Sequence, residues 1–259
     1  MPEYLSHSQL SLYIQCSLKY RFQYVDRLPK LFRPSGLAFG SALHSALAWL
    51  HQQRMKAATN GNGQITLGRL LRIFSADWYA QQVETEIRWK EGEASLQLAT
   101  MAAEMLRLYF QEPYEPIKGA EIPFVVPLID PATGKELDLM LEGYFDLVEE
   151  GDGLTEFKSS AQAMTTDDAN EHLQLTAYSY AYETLYQRPL KRLRIVDFVK
   201  HKKPKLIILE TRRTKADYER FFALVSQVLA GIRNRIFFPR PSFWCKDCEY
   251  RERCLVWKG

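Results

Sequence analysis

The hydrophobic positions follow helical spacing up to about residue 118 and two-residue alternation after it. A first helix is predicted after Ser6, which acts as N-cap of a capping box in which Gln9 reaches back. Leu10, Tyr13 and Ile14 share one face of that helix. Further helices are predicted over residues 37–58 and, as two helices, over residues 66–111, with a flexible break at residues 60–63.

The second half of the chain has the alternation of a β-sheet. Residues 121–128 predict a strand, residues 130–134 a turn, and residues 137–148 a long second strand. After a tight turn at residues 150–153, residues 154–158 predict a third strand. The remaining predicted elements are a helix over 167–187, strands over 192–199 and 205–210, and a helix over 214–236. This order predicts an α/β domain with a helical insertion and a small C-terminal cap.

Composition narrows the class of protein only slightly. The 259 residues suffice for one large domain or two small ones, and a net charge of +3 permits nucleic-acid binding without arguing for it. The N-terminal segment lacks a basic region followed by an apolar run, which argues against a signal peptide. No stretch reaches the ~18 apolar residues of a membrane span. We therefore expect a cytoplasmic protein.

Four cysteines are distributed between the two ends of the sequence. Cys16 stands alone, whereas Cys245, Cys248 and Cys254 form a C-x2-C-x5-C pattern. Four thiolates are a ligand set for tetrahedral zinc or for an iron–sulfur cluster, and spacing does not separate the two. Without a secretion signal, metal binding is favoured over disulfides.

A group of charged residues follows the predicted hairpin. Glu156 and Lys158 are two residues apart on one strand, so both project from the same face while Phe157 points to the core. Antiparallel pairing brings Asp146, at the end of the preceding strand, close to Glu156. Two carboxylates suit a hard divalent cation, and Lys158 is placed to orient water or stabilise negative charge. A solvated surface ion pair is the alternative for Glu156 and Lys158.

Three further residues lie on predicted helices. His44 follows Gly40 by four residues, and Gln174 and Tyr178 share a face at i, i+4 spacing. Taken singly, a packed or surface residue is the favoured interpretation of each.

Together these motifs give the chain a resemblance to a known family. It resembles the RecB-like branch of the PD-(D/E)XK nuclease superfamily, and within it the iron–sulfur exonucleases. CRISPR-associated RecB-like exonucleases and the nuclease domain of AddB are such members. The motifs are Leu5-Ser6-x-Ser8-x-Leu10-x2-Tyr13-x2-Cys16-x3-Tyr20-Arg21-Phe22, Gly40-x3-His44, Gly143-Tyr144-Phe145-Asp146, Glu156-Phe157-Lys158, Gln174-x3-Tyr178 and the three C-terminal cysteines. Ser17 departs from the proline common after the first cysteine.

The resemblance implies an α/β restriction-endonuclease-like core, a central mixed β-sheet flanked by helices. It implies a single nuclease domain over residues 1–259, with a helical insertion at 45–118 and a cysteine-rich cap at 237–259 joined to Cys16. The implied ligands of Mn²⁺ or Mg²⁺ are His44, Asp146, Glu156 and the carbonyl of Phe157. Lys158 is the implied catalytic lysine, and the implied accessory motif is Gln174 with Tyr178. The implied ligands of a [4Fe–4S] cluster are Cys16, Cys245, Cys248 and Cys254.

The implied function is a metal-dependent DNA exonuclease that prefers single-stranded ends. Its setting is DNA repair and recombination or CRISPR adaptation, with a helicase or CRISPR adaptation proteins as partners. Because His44 supplies a nitrogen ligand, Mn²⁺ is expected to support activity at least as well as Mg²⁺. The alternative is a non-catalytic iron–sulfur or zinc DNA-binding scaffold of the same fold. A radical enzyme is disfavoured because the C-x3-C-x2-C loop of that chemistry is absent.

Basic and aromatic residues are dense late in the chain. Clusters at residues 191–194, 200–205 and 212–213 are either solvated surface or a phosphate-binding groove. Phe237, Phe238, Phe243 and Trp244 lie close to the cysteines, where packing is favoured over base stacking.

Overall fold

A computed structural model describes residues 4–61 and 65–259, apart from the side chain at position 60. Of the predicted break at residues 60–63, residues 62 and 63 lie outside the described residues, whereas α3 continues to Asn60 and Gly61 is its C-cap. The helices are α1 (His7–Gln15), α2 (Ser17–Tyr20), α3 (Ser35–Asn60), α4 (Leu67–Glu84), α5 (Ser95–Gln111), α6 (Thr166–Glu171), α7 (Leu173–Tyr186), α8 (Lys215–Arg233) and α9 (Arg251–Leu255). The strands are β1 (Tyr4–Ser6), β2 (Arg33–Pro34), β3 (Ile87–Arg88), β4 (Ile117–Ile129), β5 (Glu136–Glu149), β6 (Gly153–Ser160), β7 (Arg192–Val199) and β8 (Lys205–Thr211).

A mixed sheet of six strands, counted over the described residues, forms the centre of the fold. β4 pairs antiparallel with β5, and β5 also pairs parallel with β1 and antiparallel with β6. β6 runs parallel to β7, with α6 and α7 as the crossover, and β8 completes the sheet antiparallel to β7. The expected α/β fold with a central mixed sheet flanked by helices is confirmed.

Each face of the sheet is covered by helices. Alternating side chains along β6 and β7 divide the core: Phe157 and Phe198 pack with α3, α4 and α5. Leu154 and Ile195 pack on the other side with α1, α7 and α8. Because helices cover both faces, side chains on both faces of these strands are buried. Asp146 and Glu156 are therefore buried although they are acidic. Among the described residues, the structure has no helix with the length and apolar character needed to cross a membrane.

The predicted helix over 167–187 is wrong in one respect, because it is two helices. His172 has ψ of 108° and separates α6 from α7. Arg213 stabilises the interruption, since its guanidinium donates to the carbonyls of Ala169 and His172 at 2.8 and 3.2 Å. The predicted capping box of α1 is only half formed: Ser6 accepts from the Gln9 amide at 3.2 Å, but Gln9 Oε1 has no partner among the described residues.

The segment after α1 is hydrogen-bonded to the C-terminal segment. The Leu18 amide donates to the Phe238 carbonyl at 3.1 Å, and Tyr250 Oη donates to the Leu28 carbonyl at 3.1 Å. Lys19 forms an ion pair of 2.5 Å with Glu249, which is 3% exposed. These bonds hold two distant parts of the sequence together.

Candidate active site

Asp146 and Glu156 lie opposite each other on β5 and β6. Leu147 pairs with Thr155, and antiparallel register therefore places the two acidic residues in adjacent positions. Only 8% of Asp146 and 2% of Glu156 is exposed. Asp146 Oδ2 accepts a hydrogen bond from the Phe157 amide at 2.8 Å, which fixes the orientation of its carboxylate.

Lys158 and Gln174 both contact one oxygen of Glu156. Glu156 Oε1 accepts from Lys158 Nζ at 2.7 Å and from Gln174 Nε2 at 2.6 Å. Lys158 Nζ also donates to Gln174 Oε1 at 2.6 Å, so the three side chains close a ring. The other oxygen, Glu156 Oε2, is buried without a hydrogen-bond partner among the described residues. A buried carboxylate oxygen without a donor is suited to a cation.

His44 approaches the carboxylates from α3. Its Nδ1 lies 3.4 Å from Asp146 Oδ1. Burial alone would lower the pKa of His44, but the hydrogen bond to Asp146 and the charges of Asp146 and Glu156 outweigh burial and raise it above its ordinary value. A divalent cation that binds this imidazole would displace its proton.

Glu121, on β4, joins the site although the sequence patterns did not single it out. His44, Glu121 and Asp146 each offer a ligand atom, and these atoms lie within 4.8 Å of one another. Ala120 and Ile122 pair with Leu147 and Phe145, so Glu121 lies opposite Asp146. Its φ of 53° is in the left-handed region, which is rare for glutamate and typical of functional sites. The predicted ligand Glu156 is not part of this group of three.

The carboxylates have unequal proton affinities. Burial and the charge of Asp146 raise the pKa of Glu121 to about 6. Burial and the charge of Asp146 also raise the pKa of Glu156. Burial acts to raise the pKa of Asp146 as well, but His44, Lys158 and the Phe157 amide together lower it. Crowded carboxylates that repel one another are stabilised by a bound cation.

Tyr178 is placed beside the site by α7. Its ring packs edge-on against Phe124 and Phe145, with centroids 5.3 and 5.8 Å apart, and 8% of the residue is exposed. Burial, followed by the charges of Glu156 and Asp146, raises the pKa of the Tyr178 hydroxyl. Tyr178 and Asp146 line the same cavity.

The four cysteines line one cavity of about 240 Å³. Each is half-buried. Cys16, Cys248 and Cys254 pack against the buried side chains of Leu18, Phe22 and Tyr250. The structure thus brings Cys16 together with the three cysteines that follow it by more than 200 positions.

The protein-family model for the PD-(D/E)XK nuclease superfamily matches residues 4–255. The chain belongs to the PD-(D/E)XK nuclease superfamily. A divalent metal and a nucleic-acid substrate accompany membership of this family, and the chain is accordingly a nuclease.

One solved structure supports the fold. A presumed exonuclease from Eubacterium rectale matches with a TM-score of 0.62 and 13% identity, covering 99% of this chain and 90% of that one. A protein named SSO0001 matches with a TM-score of 0.37 and 13% identity over 82% of this chain and 84% of its own, too distant to bear on the fold. Curated protein sequences contain no significant match.

Proposed function

We propose that this nuclease is a metal-dependent DNA exonuclease that hydrolyses phosphodiester bonds at strand ends, with a preference for single strands. The observation that carries the proposal is the convergence of His44, Glu121 and Asp146 within 4.8 Å, beside the hydrogen-bonded Lys158. The Eubacterium rectale neighbour, named as an exonuclease, supports action at ends. Processing of DNA ends in repair, recombination or CRISPR adaptation, beside a helicase or adaptation proteins, is the setting that suits this activity.

The donor set fits a divalent cation. His44, Glu121 and Asp146 supply one nitrogen and two carboxylate oxygens. Glu156, which the strand register places beside Asp146, is a further candidate ligand through Oε2, which has no hydrogen-bond partner among the described residues. Mixed nitrogen and oxygen ligands suit Mn²⁺, and Mg²⁺ accepts the oxygens. When bound, such an ion lowers the pKa of a coordinated water and neutralises phosphate charge. The carbonyl of Phe157 remains a predicted further ligand.

Lys158 is the cationic group beside the ligands. Glu156 and Gln174 fix the position of its ammonium group, and 30% of its side chain is exposed, so it can reach a substrate. A lysine held in this position donates to a phosphate oxygen or to the attacking water. Gln174 and Tyr178 position the lysine and the neighbouring aromatic residues rather than take part in proton transfer.

The cysteine cavity fits a [4Fe–4S] cluster. Four thiols converge on a space of about 240 Å³ with an apolar wall, a typical environment for a cluster held by four cysteines. Cys16, Cys245, Cys248 and Cys254 would be its ligands, and the cluster would hold the two segments together. A brown protein with broad visible absorption, about four irons and no zinc is expected on anaerobic purification; one zinc and no iron would contradict it.

The nuclease itself is tested by Lys158→Ala. End-labelled single- and double-stranded DNA is incubated with Mn²⁺ or Mg²⁺, and the variant should cleave 10²–10³-fold or so more slowly, the effect of losing one stabilising donor. Lys135→Ala is the matched control, because Lys135 is an exposed lysine in the turn between β4 and β5, outside the basic clusters. Equal cleavage by wild type and Lys158→Ala would contradict the assignment of this site.

Closed circular DNA separates action at ends from internal cleavage. An exonuclease leaves circular single strands intact and shortens linear ones stepwise. Cleavage of circles would overturn the exonuclease proposal while leaving the nuclease in place. Binding of DNA without cleavage under any metal would instead favour the non-catalytic scaffold.

A further inference from the structure

Two cavities meet at the beginning of α1, and His7 lines both. The larger, about 680 Å³, also contains Lys158 and Gln174. The smaller, about 420 Å³, also contains Asp146 and Tyr178. Lys158 lines one cavity and Asp146 the other, so the carboxylate–lysine site borders both.

His7 presents a neutral hydrogen-bonding group at this junction. Its Nε2 is hydrogen-bonded to Ser11 Oγ at 2.8 Å, which orients the ring. The His172 ring lies nearly parallel, at an angle of 27° and a centroid distance of 6.4 Å. Burial, the charge of Lys158 and the proximity of His172 lower the pKa of His7 to about 3, so the imidazole stays neutral and keeps one N–H.

The surroundings of His7 favour an anion. His7 is the first residue of α1, a helix of nine residues, and the positive end of the helix dipole favours negative charge here, although Ser6 already accepts from the Gln9 amide. Lys158 adds a full positive charge on the same side. Asp168 and Glu171, on α6, also line the larger cavity and oppose an anion there. Asp168 Oδ2 accepts from the Thr165 amide and hydroxyl at 2.8 and 2.7 Å, so part of its charge is compensated locally.

The smaller cavity offers a surface for a base. Tyr144, on β5, is 58% exposed and lines it together with Pro123 and Val125. Exposed aromatic rings beside a phosphate path stack on unpaired bases without reading sequence. An aromatic and apolar wall on one side and anion-binding groups on the other match the two parts of a nucleotide.

We propose that His7 contacts the substrate: its imidazole donates a hydrogen bond to the DNA phosphate adjoining the one that is cleaved, where the strand passes from one cavity into the other. The proposal rests on the proposed function, because it assumes that the carboxylate–lysine site receives DNA. His7 then sets the register of the strand over Lys158.

The variants His7→Leu and His7→Gln test the contact. His7→Leu removes the donor with little change in volume, whereas His7→Gln keeps a neutral N–H. Gln97→Leu, at an exposed position of α5 outside both cavities and the basic clusters, is the control. For a linear single strand, His7→Leu should raise KM in Mn²⁺ and Kd in Ca²⁺ about tenfold, as expected for one hydrogen bond to a charged group, with kcat within about twofold. His7→Gln should recover most of the loss. A mere structural role would not give this split between KM and kcat.

A set of oligonucleotides with one methylphosphonate at successive positions locates the contact. Neutralising the phosphate next to the cleaved one should weaken wild type about tenfold but His7→Leu hardly at all, because that variant has already lost the bond. Equal losses in both proteins at every position, or an unchanged KM in His7→Leu, would overturn the proposal. If no protein cleaves DNA, the proposed function fails, and the binding series alone still decides the role of His7.

Discussion

Glu121 is the residue whose position depends most on the fold. Neighbouring residues in the sequence give it no motif, and it reaches the site only because β4 pairs with β5 in one register. Its left-handed backbone, φ 53°, is retained although glutamate disfavours it, since the sheet on both sides determines its conformation. Strain of this kind is expected where a side chain must point at a ligand.

Glu121→Gln tests this residue. The change removes one anionic ligand, so the Mn²⁺ concentration for half-maximal cleavage should rise at least tenfold or so, with little change at saturating metal. Because the pKa of Glu121 is about 6, wild type should also need more Mn²⁺ as the pH falls through 6, and the variant should show less of this dependence. Glu136→Gln, at the exposed start of β5, is the control, and an unchanged metal requirement in Glu121→Gln would argue against ligation.

Most of the candidate site could be predicted at the residue scale. Asp146, Glu156 and Lys158 stand close together in the sequence on two neighbouring strands, so local spacing is enough to bring them together. His44 was recognised through its motif. Glu121 and His7 could not be found in this way, because their roles depend on which strands pair and on where the start of α1 lies.

At the scale of elements, α1 and α8 come close together where Tyr13 of α1 faces Gly231 of α8. A Cβ at Gly231 would lie 2.1 Å from Tyr13 Oη and 2.9 Å from Tyr13 Cζ. Tyr13 Oη donates to the Ile236 carbonyl at 2.8 Å, so the same contact holds the chain after α8.

Gly231→Ala should therefore destabilise the protein by about 1–3 kcal/mol, the usual effect of overpacking. Gly68→Ala is the matched control, because Gly68 is also helical but its Cβ would meet nothing within 4 Å. That change should be neutral or stabilising by about 0.5–1 kcal/mol. Urea unfolding measures the free energy of unfolding of both variants. A Gly231→Ala protein as stable as Gly68→Ala would show that α1 and α8 can move apart with little loss of stability.

His51 links α3 to α5 and to the sheet. It is fully buried, accepts from or donates to Tyr109 Oη at 3.0 Å, and stacks on Phe157 with centroids 5.6 Å apart. Burial, and then the charge of Arg54, lowers the pKa of His51 to about 3. In the unfolded chain the His51 imidazole has a pKa near 6.5 and binds a proton below that pH. In the folded protein it stays neutral.

Stability should accordingly decrease as the pH falls below 6.5, and His51→Gln should weaken that decrease. Between pH 6 and 5 the wild-type free energy of unfolding should fall by up to about 1.4 kcal/mol more than that of the variant, the value for one proton per pH unit. Gln retains a hydrogen-bonding group for Tyr109. Urea unfolding at pH 7.5, 6 and 5 gives the slopes, with exposed His201→Gln as control; parallel curves for wild type and His51→Gln would contradict the buried neutral imidazole.

Elements were predicted well where the pattern is local and less well where tertiary bonds decide. The helix over 37–58 is confirmed as α3, since its pattern is continuous. The interruption at His172 was missed because it depends on Arg213, which lies 41 residues later and takes the carbonyls that an unbroken helix would use.

At the scale of the whole molecule, the proposed cluster joins segments that are far apart in sequence. Cys248→Ala should lower the melting temperature of the protein as isolated by roughly 10 °C, from a crosslink contribution of about 5 kcal/mol. After removal of iron with a chelator, wild type and variant should melt at nearly the same temperature. Equal melting temperatures before chelation would show that the cysteines do not stabilise the fold.

The hydrogen bonds between the N-terminal and C-terminal segments also affect how the chain folds during synthesis. Tyr13 is bonded to Ile236, which the ribosome adds 223 residues later. At ~5–20 residues per second, the first helix waits about 10–45 s for its partner to be synthesised. During that interval β5 and α7 can already cover part of its apolar face, but the part that packs on α8 and the following segment stays exposed, so the nascent polypeptide offers a binding surface for chaperones. An interrupted translation product that ends before this residue should accumulate as an aggregation-prone fragment rather than as a partly active enzyme.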